Sequence, residues 1–133
     1  MSFVTKDIIA LKNEVGTNTL SNLRETLATL SADREVIVLG DFNLYHPLWS
    51  TTHRQANQGR AASQPLLTII KDYQLQLLTV PGTTTHRWKD GESTINLTFA
   101  IEGVASRTIY CRIDTNRDYN SNYLPIATAV AWD

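Results

Sequence analysis

Val36-Ile37-Val38-Leu39 is a run of four strongly apolar residues, none of them alanine. A continuous run this short reads as a strand buried on both faces. Before it, Leu20, Leu23, Leu27 and Leu30 recur at intervals of three and four, a single helical stripe, with Gly16-Thr17-Asn18 ahead as breaker and cap. After it, Ala62, Leu66, Ile69, Ile70 and Tyr73 form a second stripe. Pro65 is tolerable there only near the first helical turn. At the start, Val4, Ile8, Leu11 and Val15 suit a helix, whereas Ile8-Ile9-Ala10-Leu11 suits a short strand, and periodicity leaves both open. Tyr45 to Gly59 is polar and aromatic and reads as a loop.

From Leu75 the period shortens. Leu75 to Val80 and Thr83 to Trp88 read as strands separated by Pro81-Gly82. Lys89-Asp90-Gly91-Glu92 carries an Asp-Gly turn signal. Ile95, Leu97 and Phe99 alternate with Asn96, Thr98 and Ala100, which predicts a half-buried strand. Arg107 to Ile113 and Ile126 to Trp132 complete the set, joined by a polar loop from Asp114 to Tyr123. The order β-α-β-α followed by strands predicts an α/β (α+β) domain, a mixed sheet with helices on one face.

Composition narrows the class. One domain of 133 residues with 42% hydrophobic and 19% charged residues fits a folded, soluble protein. The net charge of −1 argues against strong generic affinity for nucleic acid, though a local basic groove is compatible with it. Cys111 is the single cysteine, so no intrachain disulfide forms. The first residues lack the charged-then-apolar pattern of a secretion signal, and no apolar run reaches membrane-spanning length. These features predict an intracellular location, cytoplasm or nucleus.

The candidate chemistry follows the buried strand directly. In Gly40-Asp41-Phe42-Asn43 the glycine lets the backbone turn, and Asp41 and Asn43, two residues apart, point the same way. A carboxylate and a carboxamide at a strand's mouth can hold a water, a metal or a phosphate oxygen. The plain structural alternative is that both residues cap the turn.

Four further stretches occur in order after Gly40-Asp41-Phe42-Asn43: His46-Pro47-Leu48-Trp49, Gly82-Thr83-Thr84-Thr85-His86, Ser93-Thr94-Ile95-Asn96-Leu97 and Ser121-Asn122-Tyr123-Leu124-Pro125-Ile126. Together they resemble the C-terminal half of the endonuclease/exonuclease/phosphatase family. The His-Pro-x-Trp stretch is similar to the endonuclease domains of LINE-type retrotransposons. The resemblance runs from about Ile8 to the C-terminus. It implies half of a four-layer α-β-β-α sandwich and metal-dependent cleavage of phosphate esters. Mg²⁺ is the implied cofactor, with Asp41 near it orienting or deprotonating the attacking water and Asn43 contacting the phosphate.

Several positions depart from the family pattern. Where the family has Ile-Asp-Leu, with that Asp orienting a catalytic His, this chain has Ile95-Asn96-Leu97; where the family has Ser-Asp-His it has Ser121-Asn122-Tyr123. A phenol titrates at about 10 and an imidazole at about 6.5, so Tyr123 does not replace the His as a base at neutral pH. It can still donate a hydrogen bond to phosphate. Asn96 and Asn122 are nearly isosteric with Asp but neutral. The resemblance also places the main metal-binding Glu in an N-terminal half that is expected to be absent. Ala10-Leu11-Lys12-Asn13 stands where the family has Asn-x-Tyr-Asn.

Other residues have two readings each. His46, His53, Arg54 and Arg60 form either a DNA-facing patch or a solvated loop. His86 is either a strand residue or a catalytic one. A zinc site from His46, His53, His86 and Asp41 lacks metal-like spacing. Cys111 reads as a buried small hydrophobe, and Trp49, Trp88 and Trp132 as packing rather than base-stacking residues.

The expected function is therefore a degenerate, inactive endonuclease-like domain with weak nucleic-acid contact. The alternatives are an active Mg²⁺-dependent endonuclease or phosphodiesterase and a protein-binding module without a nucleic-acid role. Half a sandwich would expose an apolar sheet face, which predicts pairing through that face, a C₂ homodimer being the simplest form.

Overall fold

The apolar run forms the middle of strand β2 (Glu35–Asp41), an interior strand of a four-stranded sheet. The computed structural model describes residues 6–11, 19–30, 34–50, 59–88, 91–114 and 124–131. Strand β1 (Lys6–Leu11) pairs parallel with β2, settling the open reading of Ile8 to Leu11 in favour of a strand. On its other side β2 pairs antiparallel with β6 (Asn96–Ile101), which pairs antiparallel with β3 (Leu75–Leu77). The sheet is mixed, as expected, in the order β1-β2-β6-β3.

Alternation along β2 divides its side chains between two clusters. Val36 and Val38 join Leu97, Phe99 and Leu75 beneath helices α1 (Thr19–Thr29) and α2 (Arg60–Asp72), which contribute Leu23, Leu27, Leu66 and Ile69. Ile37 points the other way, to Ala100 and to Val104 of the one-turn helix α3 (Glu102–Ala105). The two long helices thus share one sheet face, and α3 lies on the second. The leucine stripe predicted for α1 is the stripe it buries.

The second cluster corrects the expectation for β6. Leu97, Thr98, Phe99 and Ala100 are all buried, so this strand is covered on both faces through its middle rather than half-buried. The alternation was real, but small residues on the second face, Thr98 and Ala100, fit beneath α3 and the Leu78–Thr79 segment. Thr79 Oγ1 accepts the Thr98 N–H at 2.9 Å there.

Pro65 stands in the second turn of α2, not in its first as expected. The N–H it lacks would have served the carbonyl of Ala61 on the exposed side of the helix, where water can replace it.

Two hairpins complete the described chain. Strands β4 (His86–Trp88) and β5 (Gly91–Ser93) are shorter than the run predicted from Thr83, because Thr83 to Thr85 bond to Thr94 and Ser93 outside a regular ladder. Lys89 and Asp90 of the predicted turn lie outside the described residues. Strands β7 (Thr108–Ile113) and β8 (Ile126–Val130) pair antiparallel, with a bulge that shifts register between Thr108 and Tyr110. Cys111 is buried on β7 as expected. No described helix is long and apolar enough to cross a membrane.

Candidate functional site

Asp41 ends β2, and its register partner on β6 is Asn96. The next pair out carries a ladder bond, Phe42 N–H to Ile95 O at 2.9 Å. The Asp41–Asn96 pair therefore sits in a non-hydrogen-bonded position, which brings facing Cβ atoms to about 4.5–5.5 Å. By alternation both side chains lie on the second face, in line with Ile37 and with Ala100. The Asp41 carboxylate and the Asn96 carboxamide are neighbours across one sheet end.

The turn after Asp41 is built by its own side chain. Asp41 Oδ1 accepts the Asn43 N–H at 2.9 Å, an Asx turn. Asn43 takes a left-handed φ of 46°, which Asn tolerates better than most residues. Gly40 has φ 151°, a conformation open mainly to glycine. Asn43 is exposed beside the mouth. The capping reading of Asp41 is thus a fact of this geometry, and it leaves Oδ2 for other work.

Asn96 is held from behind by Thr85. The fully buried Thr85 Oγ1 accepts the N–H groups of Ile95 at 2.9 Å and Asn96 at 3.0 Å. Thr85 O accepts the Leu124 N–H at 2.9 Å, so the chain following Ser121-Asn122-Tyr123 returns to the same strand end. Asn122 and Tyr123 themselves lie outside the described residues, as do His53, Arg54 and Trp132. Thr85 was missed as a positioning residue. A threonine inside a Thr-rich run gives no sequence sign that its hydroxyl will bridge two strands.

His46 belongs to neither reading made for it. It is 6% exposed, so it is not part of a solvated loop or an outward-facing patch. Its ring packs on Trp49 with centroids 5.3 Å apart, and Nδ1 accepts the Leu48 N–H at 3.1 Å. That bond assigns the remaining ring proton to Nε2. Burial, with the Arg60 guanidinium as a second cause, lowers its pKa below the ordinary 6.5. Trp49 lies in the main core and donates Nε1–H to Leu44 O at 2.9 Å, while its carbonyl accepts the Gly82 N–H at 2.7 Å. His-Pro-x-Trp is a folding device for the loop behind the mouth. His86 is half-buried on β4, and Arg60 is exposed on α2.

The fold has known counterparts. The sequence matches the endonuclease-reverse transcriptase family over residues 8–127. The chain belongs to this family. Its structure is similar to the endonuclease domain of TRAS1, a telomere-specific non-LTR retrotransposon, with TM-score 0.65 and 17% identity over 85% of this chain and 50% of that one. It is also similar to a 3′-5′ exonuclease from Neisseria meningitidis, at TM-score 0.61 and 15% identity over 85% and 50% of the two chains. An AP endonuclease from Archaeoglobus fulgidus aligns at TM-score 0.55 and 14% identity, over 94% and 61%. At these identities the likeness is one of fold. The chain spans about half the length of the first two structures. No curated protein matches the sequence.

The cofactor implied by the resemblance can be tested against the residues present. Among the described residues no three of His, Cys, Asp and Glu converge in a way that could hold a metal ion. Strands β2 and β6 bring a single carboxylate to the mouth, and one of its oxygens is committed to the Asn43 N–H. Mg²⁺ binds through one or two carboxylates and phosphate oxygens in near-octahedral geometry. The described donor set, one carboxylate and one neutral amide, makes at most a weak site for it.

Proposed function

We propose that this chain is a degenerate retrotransposon-derived endonuclease-like domain without catalytic activity. The observation that carries the reading is the Asp41–Asn96 pair: one carboxylate opposite a neutral amide, where the family resemblance calls for two acids. Cleaving a phosphodiester at neutral pH requires stabilising negative charge on the phosphoryl oxygens, usually the largest catalytic contribution. It also requires a base to activate water. Asp41 lacks a partner for either task among the described residues. Losing one member of an interdependent site commonly costs nearly as much as losing all of them.

The test is plasmid nicking by the purified chain with Mg²⁺ or Mn²⁺. The reading predicts no turnover above a no-protein control. Turnover abolished by Asp41→Ala would establish the active-endonuclease alternative instead. Salt-dependent DNA retention separates weak nucleic-acid contact from a purely protein-binding role.

The same reading includes two-fold pairing through the second sheet face. Helix α3 already buries Ile37 and Ala100 on that face, and half-buried Leu39 and Leu78 are the apolar residues left there for a partner. Sedimentation equilibrium at micromolar concentration checks this. A monomer there removes the pairing from the account.

A further inference from the structure

Two features of the mouth ask for the same kind of ligand. Asn96 Oδ1 is buried and has no hydrogen-bond partner. A buried acceptor left without a donor is destabilising, so the site favours any donor able to reach it. Beside it, no ion pair among the described residues involves Asp41, whose Oδ2 is not engaged by the Asx turn. An acceptor without a donor thus adjoins a carboxylate without a cation.

Three ligand classes can be compared on this chemistry. Phosphate supplies acceptors and negative charge, which duplicates what Asp41 already presents. A divalent metal would have to take about four of its six ligands from water or phosphate, since the mouth offers one carboxylate and one neutral amide from described residues. An organic cation bearing N–H donors matches both needs, giving a charge-assisted bond to Asp41 and a neutral one to Asn96. Guanidinium suits best, because it is weakly hydrated and presents its donors in a fixed plane.

We propose that the Asp41–Asn96 mouth is a binding site for a guanidinium group, such as the side chain of an arginine, and not for phosphate. This rests on the reading of the mouth as a non-catalytic site. The acid-to-amide change at Asn96 removes one charge yet leaves an acceptor of nearly the same shape. The mouth thereby loses the acid that the resemblance assigns to orienting a catalytic His, and it keeps a single carboxylate for a positive donor.

The experiment is a titration of the ¹⁵N-labelled full chain with methylguanidinium chloride, set against sodium chloride, sodium phosphate and magnesium chloride at matched ionic strength. Methylguanidinium is expected to move the Asp41, Phe42 and Asn43 backbone signals and the Asn96 side-chain amide saturably. Phosphate is expected to leave them at their sodium chloride positions. Asp41→Asn should weaken binding about tenfold, the loss of one charge-assisted bond. Asn96→Asp, which adds charge without changing shape, should strengthen it, and this holds whether or not the first variant folds. Saturation by phosphate overturns the proposal. So does saturation by magnesium at a lower concentration than methylguanidinium, or no response to methylguanidinium beyond sodium chloride. DNA nicking reports separately on the inactive reading, so the two failures are distinguishable.

Discussion

The hydroxyl of Thr85 accepts the backbone N–H of Asn96 at 3.0 Å while also accepting that of Ile95 at 2.9 Å. One buried oxygen therefore fixes the start of β6 and, with it, the residue that faces Asp41. Thr85→Val keeps the shape and removes the acceptor, leaving two backbone donors unpaired. At about 1–3 kcal/mol for each, the variant should lose roughly 2–6 kcal/mol in urea unfolding. Thr85→Ser should lose far less. Equal losses for the two variants would mean that the methyl group, and not the hydroxyl, matters.

His46 makes the fold sensitive to acid. Its pKa is lowered in the folded chain by burial and by Arg60, so the unfolded chain binds the extra proton more readily. Its contribution is fully present above about 6.5, the unfolded value, and is lost as pH falls from there toward the folded value. For one proton the slope is at most about 1.4 kcal/mol per pH unit. Protonation also sets an Nδ1–H against the Leu48 N–H that the ring now accepts. His46→Asn retains an acceptor and removes the titration. Denaturation midpoints for this variant should vary less with pH below 6.5.

Gly59 has an ordinary helical φ, and space is what restricts it. A Cβ there would lie 2.1 Å from the Tyr45 carbonyl oxygen, which also accepts the Ser63 hydroxyl at 2.8 Å. Gly59→Ala must push the loop behind the mouth away from α2. A loss of about 1–3 kcal/mol or more is expected in thermal unfolding, against the usual gain when glycine is replaced near a helix. An unchanged Tm would show that the loop yields freely.

Glu35 and Arg107 pair between the start of β2 and the turn before β7, both largely buried. Arg107 Nε also donates to Gly103 O at 2.8 Å. Arg107→Leu strands a buried carboxylate and should cost about 3–5 kcal/mol. Adding Glu35→Leu should recover much of that loss in a double-mutant cycle. Additive losses would place the effect in Arg107's packing instead.

Much of the scaffold was legible because its periods are strong. Leu20 to Leu30 and Ala62 to Tyr73 announce helices, and Val36 to Leu39 a strand buried on both sides. Short elements were not. The one-turn helix α3 contains Gly103 and has too few residues to show a period. Thr98 and Ala100 looked like a solvent face because small or polar residues also fit a tight interior. At the mouth, Asp41 and Asn96 were named from the sequence and its family resemblance, and only strand register shows that they face each other. Burial of His46 was hidden because its ring packs on Trp49 inside a stretch with no period to show it.

The measurement that bears most directly on the account is Mn²⁺ binding followed by electron paramagnetic resonance at low ionic strength. The Asp41–Asn96 geometry predicts that the wild-type chain leaves the aqueous Mn²⁺ signal undiminished at protein concentrations of about 100 μM, since one free carboxylate oxygen and one amide oxygen make a poor site. Stoichiometric loss of that signal, reversed by Asp41→Ala, would contradict it.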